Sequence, residues 1–257
     1  MNVKAKKHLG QHFLTDENIA KKIVEGLDFQ PYQYVLEVGP GTGVLTKYLL
    51  EKPTETYVAE IDTESIEYLK LHFRKLENKH FTGDFLKINL NDIFSGEVAI
   101  IGNFPYNISS QILFKIIENY QQIPEMVGMF QKEVAERTAA VPRTKDYGIL
   151  SVLVQAYYDV KYLFTVHENV FNPPPKVKSG VIKLTRNRKE GLEGNEILFK
   201  QIVKTGFGQR RKKLSNALKS LDIPEVLKSH AFMDKRAEEL SVEDFINFTQ
   251  EWKAAKN

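Results

Sequence analysis

Val35-Leu-Glu-Val-Gly-Pro-Gly-Thr-Gly-Val-Leu-Thr46 is a short apolar run that breaks into three closely spaced glycines and resumes with helical spacing. The pattern predicts strand, tight turn, helix. Gly39, Gly41 and Gly43 permit backbone conformations closed to residues with a Cβ, and they let the main chain press against a ligand at a helix N-terminus. Taken alone, the same glycines could serve only a βα turn. Their spacing is G-x-G-x-G and not the G-x-G-x-x-G of dinucleotide sites, which turns the reading away from a nicotinamide cofactor. The next apolar run, Thr56-Tyr-Val-Ala-Glu-Ile-Asp62, ends in carboxylates, and Glu60 follows Gly39 by about twenty residues, the distance at which an acid takes the hydroxyls of a ligand's ribose. A nucleoside-containing cofactor is expected.

Working outward, Val44, Leu45, Tyr48 and Leu49 give one helical stripe and Ile66, Leu69, Phe73 and Leu76 another behind Thr63. Phe81-Thr-Gly-Asp-Phe-Leu86 places Asp84 just past a short strand, and Val98-Ala-Ile-Ile101 is an apolar strand of the buried parallel type. The alternation βαβαβ…β implies a parallel sheet with right-handed crossovers, whose ligands sit beyond the carboxyl ends of the strands. Gly39, Glu60, Asp84 and Asn103 are all strand-end residues on this reading, although an acid such as Asp84 could equally be a cap. The fourth strand runs into Gly102-Asn-Phe-Pro-Tyr-Asn-Ile-Ser109, where Pro105 stiffens a turn between Asn103 and Tyr106. Its place beside the expected cofactor cleft argues for more than a proline turn. A side-chain amide, a proline carbonyl and an aromatic face together suit a flat heterocycle with an exocyclic amine.

Upstream, Lys4 to Leu14 is basic and without periodicity, an arm; Thr15 or Asp16 then caps a helix through Ile19, Ile23, Val24 and Leu27, with Pro31 marking its exit. Downstream, Met126 to Phe130 is another buried strand, and alternation from Val160 to Val166 and from Lys178 to Leu184 predicts a closing pair around Phe171-Asn-Pro-Pro-Pro175. Arg186 to Gly194 is a polar linker, followed by helical stripes ending with Phe245, Phe248 and Trp252. The 257 residues, 42% hydrophobic, suffice for one full core and a smaller second domain. Zero cysteines exclude disulfides and thiolate chemistry, and the six histidines show no metal-ligand spacing, so no metal is expected. With no apolar run long enough to span a bilayer, a cytoplasmic address is expected. Charge is uneven: residues 1 to 187 hold 22 basic and 22 acidic residues, residues 188 to 257 hold 14 and 11. The densest basic run, Arg210-Arg-Lys-Lys213, either neutralises phosphates or forms a solvated helix face.

Asn103-Phe-Pro-Tyr106 together with Gly39-Pro-Gly41 resembles the adenine-N6 methyltransferases that use S-adenosylmethionine. Leu9-Gly-Gln-His-Phe-Leu14, Gln131 to Arg137, Tyr147 to Val152, Val170-Phe-Asn-Pro-Pro-Pro-Lys-Val177 and Phe207 to Leu214 narrow the likeness. Over nearly its whole length the chain is similar to the bacterial small-subunit ribosomal RNA adenine N6,N6-dimethyltransferases of the KsgA type. That resemblance implies an α/β, Rossmann-like fold with a mostly parallel seven-stranded sheet and a small helical C-terminal domain. Residues 1–187 would be the catalytic domain with its basic arm, and 188–257 a helical domain contacting RNA or the ribosome. The implied reaction is dimethylation of two adjacent adenosines in a hairpin loop near the 3' end of 16S rRNA during 30S biogenesis. The implied partners are the small subunit and its rRNA, with the chain a monomer and neither membrane nor metal involved.

Residue by residue, the resemblance puts S-adenosylmethionine against His12, Leu14, Gly39, Gly41, Glu60, Asp84 and Asn103. The target amine would face the Asn103 side-chain oxygen and the Pro105 carbonyl, with Tyr106 and Phe171 stacking the base. Lys4, Lys6, Lys7, Lys176, Arg210, Arg211, Lys212 and Lys213 would grip RNA. Two positions depart from the family: His12 stands where Asn is usual and Phe104 where Leu is usual. An imidazole still hydrogen-bonds, and Phe keeps an apolar filler. Two alternatives stay open, a methyltransferase of large-subunit rRNA sharing the amine loop and a non-catalytic RNA-binding factor on the same fold.

Overall fold

The computed structural model describes residues 3–256. In chain order it forms β1 (Phe13–Leu14), α1 (Glu17–Val24), β2 (Tyr34–Val38), a single helical turn α2 (Thr46–Leu49), β3 (Glu55–Ala59), α3 (Thr63–His72), β4 (Val98–Asn103), α4 (Ser109–Glu118) and β5 (Glu125–Gln131). There follow α5 (Lys132–Thr138), α6 (Ile149–Gln155), β6 (Tyr158–Val166), β7 (Phe171–Asn172), β8 (Ser179–Arg186), α7 (Glu196–Gly208), α8 (Leu214–Ala217) and α9 (Val242–Ala254). One sheet runs in the order β3-β2-β4-β5-β8-β6. β2 is parallel to β3 and β4, β4 is parallel to β5, and β8 returns antiparallel to β5. The carboxyl ends of β2, β3 and β4 therefore share one edge, which is where the glycine turn, Glu60 and Asn103 fall.

The seventh strand of the expected sheet is reduced to one bridge, Phe81 to Val58. Gly83, at φ +84°, turns the chain off the sheet edge. Asp84 then closes the turn by accepting from the Leu86 N–H at 3.0 Å. β1 and β7 pair separately, with Leu14 opposite Phe171.

The sheet is buried because its central strands are apolar on both faces: Val98 to Ile101 and Met126 to Val127 are fully shielded. Asp16 caps α1 by accepting from the N–H groups of Asn18 and Ile19, and Ile23 and Val24 then enter a core with Val35, Leu45, Ile101 and Val127. Each such aliphatic side chain contributes about 1.5–3 kcal/mol on leaving water. Phe104 packs 4.8 Å from Phe130, centroid to centroid. Its ring needs the space left by Gly102 and Gly128, where an added Cβ would come within 2.8 and 2.1 Å of it. The chain thus accommodates Phe where the family resemblance has Leu.

Two compact units divide the chain. The first takes the residues up to Ala135 and Val160–Arg186; the second takes Glu136–Asp159 and everything from Asn187. The C-terminal boundary lies one residue from the one expected, but the second unit also claims a segment that the sequence reading gave to the catalytic domain. The cause is α6, an apolar helix that packs on α7. In this unit Tyr147 donates its hydroxyl to the Leu240 carbonyl at 2.9 Å, and Phe199, Phe245, Phe248 and Trp252 are buried. Ser241 and Asp244 form a reciprocal cap at the start of α9. No helix among the described residues is long and apolar enough to cross a membrane.

Candidate functional site

A cleft, about 920 Å³ when its open mouth is counted, lies at the carboxyl edge of the sheet. The glycine turn forms its floor. Gly39, at φ +70°, donates its N–H to the Ala59 carbonyl at 2.9 Å, which ties the end of β2 to the end of β3. Gly41 is required twice over: its φ is +55°, and a Cβ there would sit 2.8 Å from the Phe13 ring.

Glu60 leaves β3 directly into this cleft and is 7% exposed. Its Oε1 accepts from the N–H groups of Ile61 at 2.8 Å and Asp62 at 2.9 Å, and its Oε2 accepts from Gly41 at 3.3 Å. Burial pushes its pKa above the ordinary carboxylate value, and the three backbone donors only partly offset that rise. The backbone orients the carboxylate, while Oε2, with one long bond, keeps acceptor capacity for a ligand hydroxyl. Asp84 lines the cleft as well. Its Oδ1 takes the capping role, accepting from the Leu86 N–H, and its Oδ2 lies 3.3 Å from Lys87 Nζ.

At the end of β4 the Asn103 Nδ2 donates to the His12 carbonyl at 2.8 Å. An amide that gives its nitrogen to the protein presents its oxygen the other way, as an acceptor. Pro105, next along, offers a carbonyl that accepts one long bond from Ile108 N–H at 3.3 Å. Tyr106 shares a 2.6 Å hydrogen bond between its hydroxyl and that of buried Ser179, and burial raises its pKa. His12 stacks on its ring with centroids 5.6 Å apart and planes at 27°, and donates from Nδ1 to the Pro173 carbonyl at 2.8 Å. Gly39, Gly41, Glu60, Asp84, Asn103, Pro105, Tyr106 and His12, all singled out in the sequence, meet around this cleft.

Other residues go elsewhere. Leu14 lines a smaller hollow beneath the glycine turn, shared with Glu37 and Asn103. Phe171, expected to stack on a base, is 4% exposed and packs with Leu14 in the core; it does not line the cleft. Lys6, expected to grip RNA, is ion-paired with Asp62 and lies 3.2 Å from Glu64. Arg210 and Lys213 are likewise engaged, with Glu238 at 2.5 Å and Asp234 at 2.9 Å. The run from Arg210 to Lys213 is a turn between α7 and α8 and not a helix face, which leaves Arg211 and Lys212 exposed, as Lys4, Lys7 and Lys176 are. Ion pairing between residues far apart in sequence explains Lys6, Arg210 and Lys213, and packing against the likewise distant Leu14 explains Phe171, because local pattern carries no record of either. Glu37 is the residue that pattern reading passed over. It is 1% exposed, accepts from the Thr46 hydroxyl at 2.6 Å, and burial pushes its pKa up to about 8. Its signal was a charge inside an apolar strand. Among the described residues, no group of three or more His, Asp or Glu could hold a metal ion.

The family model for ribosomal RNA adenine dimethylase matches residues 2–254. The ribosomal RNA small subunit methyltransferase A of Flavobacterium johnsoniae is 59% identical over 253 residues, covering 98% of this chain and 97% of its own. A solved dimethyladenosine transferase from Plasmodium falciparum superposes with a TM-score of 0.83 at 26% identity, over 95% of this chain and 98% of that one. The 23S rRNA methyltransferase ErmE shares the fold, with a TM-score of 0.68 at 24% identity over 94% and 99% of the two chains.

Proposed function

The chain belongs to the ribosomal RNA adenine dimethylase family and is a methyltransferase of small-subunit rRNA; on that footing we propose that it dimethylates the N6 amine of two adjacent adenosines in a hairpin loop near the 3' end of that RNA, with S-adenosylmethionine as methyl donor. When bound, the donor supplies an electrophilic methyl group on a sulfonium. The residues present fit it: Glu60 faces the cleft as an oriented acceptor for ribose hydroxyls, Asp84 suits an adenine amine, and the glycine turn leaves room for close backbone approach.

The orientation of Asn103 carries the mechanistic reading. With Nδ2 held by the His12 carbonyl, Oδ1 is turned out as an acceptor, and the Pro105 carbonyl offers a second. An adenine N6 lone pair is delocalised into its ring and attacks poorly while the nitrogen stays planar. Two acceptors on its N–H bonds favour a more tetrahedral nitrogen and aim its lone pair. The Tyr106 ring, fixed by Ser179 at its hydroxyl and by His12 against a face, is the stacking surface for the splayed-out base. Once alkylated, the nitrogen is strongly acidic, so its proton passes to water or a nearby oxygen and no strong base is needed. Phe171 supports this arrangement from the core by holding Leu14 and the arm.

Asn103→Ala is expected to lower single-turnover methylation by about a hundredfold or more, the scale of losing one aimed hydrogen-bonding group. Retention of wild-type turnover in that variant would remove Asn103 from the chemistry.

A further inference from the structure

Residues His8 to Phe13 form one wall of the cleft, and both ends of this arm are tied down. At its far end Leu14 pairs with Phe171, and Thr15 donates its N–H to the Val170 carbonyl at 2.8 Å. At its near end Lys6 makes the ion pairs with Asp62 and Glu64, and its N–H is held by the Gln11 side chain at 2.9 Å. Asp62 is 1% exposed at its side chain and also accepts from the Ser65 hydroxyl at 2.8 Å. It stands two residues after Glu60, whose carboxylate receives the Asp62 N–H. Between these ties the arm touches the site at three points: Phe13 covers Gly41, Gly10 lies against Asn107, and the His12 carbonyl holds the Asn103 amide.

We propose that Lys6 is a positioning residue, strapping residues 7–13 across the cleft so that its ion pairs set how long a bound cofactor or spent product stays and how firmly Asn103 is aimed. The inference rests on the S-adenosylmethionine reading above. The strap has a physical basis in the burial of Asp62. An ion pair to a shielded carboxylate is screened less than a surface pair, and removing its cation leaves a buried charge uncompensated. The lysine hydrogen bonds hold the Asp62 carboxyl below its usual value despite that burial, and Asp62 and Glu64 raise the Lys6 ammonium in turn. A ligand between Glu60 and the arm leaves most readily when this end of the arm lifts.

The test uses the full chain and S-adenosylhomocysteine as probe, without RNA. Lys6→Met is expected to raise the dissociation constant about tenfold, chiefly through a faster off-rate, and Lys6→Arg to stay within about threefold of wild type. Because Lys6→Met leaves Asp62 uncompensated, the double variant Lys6→Met/Asp62→Asn separates strapping from misfolding. It should melt near the wild-type temperature yet keep the fast off-rate, with the two changes less than additive. Wild-type affinity in Lys6→Met, or a double variant that recovers the slow off-rate, would overturn the strap. A separate titration with RNA would overturn it too if a shallower salt dependence of RNA binding were the only change in Lys6→Met, since Lys6 would then be a phosphate contact. Failure of the wild-type chain to bind S-adenosylhomocysteine would instead strike at the cofactor reading itself.

Discussion

Glu37 sits next to the last residue of β2, paired in register with Val58 of β3 on one side and Ile101 of β4 on the other. Burial, with a smaller contribution from the nearby Glu60 charge, raises its pKa to about 8 against the opposing pull of the Thr46 hydroxyl. The consequence for stability has a definite sign. Below the ordinary value of 4.5 the carboxyl is protonated in both states; from there to about 8 the unfolded chain gives up its proton while the folded one keeps it. Folding therefore loses stability as pH rises through that window, by up to about 1.4 kcal/mol per pH unit from this group. Denaturant titrations between pH 5 and 8 should show a flatter profile for Glu37→Gln than for wild type, and parallel profiles would contradict a neutral Glu37. The sequence displayed the residue but not its protonation, which depends on strands 21 and 64 residues away flanking it on both sides. The same limit applies to Lys6 and Phe171: their residue types invited a phosphate and a base, while their partners, Asp62 and Leu14, come from distant parts of the chain.

At the scale of elements, what could be read was what is local. Glycine spacing, apolar alternation and caps lie within a few residues of one another, so β2, β3, β4 and the turns after them fall where the sequence put them. The short strand expected before Asp84 shows the opposite case, since it pairs at a single bridge, Phe81 to Val58, before Gly83 and the Asp84 turn divert the chain. Phe104 gives the sharpest test of packing between elements. Gly128→Ala would set a Cβ 2.1 Å from its ring, and overpacking of this kind costs about 1–3 kcal/mol. Thermal melts should show Gly128→Ala destabilised and Phe104→Leu/Gly128→Ala substantially restored. No restoration would mean that Gly128 is needed for its backbone and not for the ring above it.

For the molecule as a whole, the basic residues that the sequence reading gave to RNA fall in both units. The first carries the cleft and exposed Lys4, Lys7 and Lys176; the second carries exposed Arg211 and Lys212, with Arg210 and Lys213 held in their own ion pairs. Replacing Arg211 and Lys212 by Gln should weaken RNA binding regardless of sequence and reduce its salt slope by about two, one for each lost phosphate contact. Arg210→Gln and Lys213→Gln should act mainly on the stability of the second unit. An unchanged slope in the Arg211/Lys212 variant would make that turn a solvated surface only. Family and fold were legible because the site motifs are contiguous. The membership of Glu136–Asp159 in the second unit was not, because it depends on where an apolar helix packs and not on its composition. The central claim, that Asn103, Pro105 and Tyr106 present an adenine amine for two successive transfers, is tested most directly by the product. Small subunits lacking the modification are incubated to exhaustion with the chain and S-adenosylmethionine, and their digested rRNA is examined by mass spectrometry. N6,N6-dimethyladenosine on small-subunit rRNA is the predicted result; a product that stops at monomethyladenosine, or methyl groups found only on large-subunit rRNA, would contradict it.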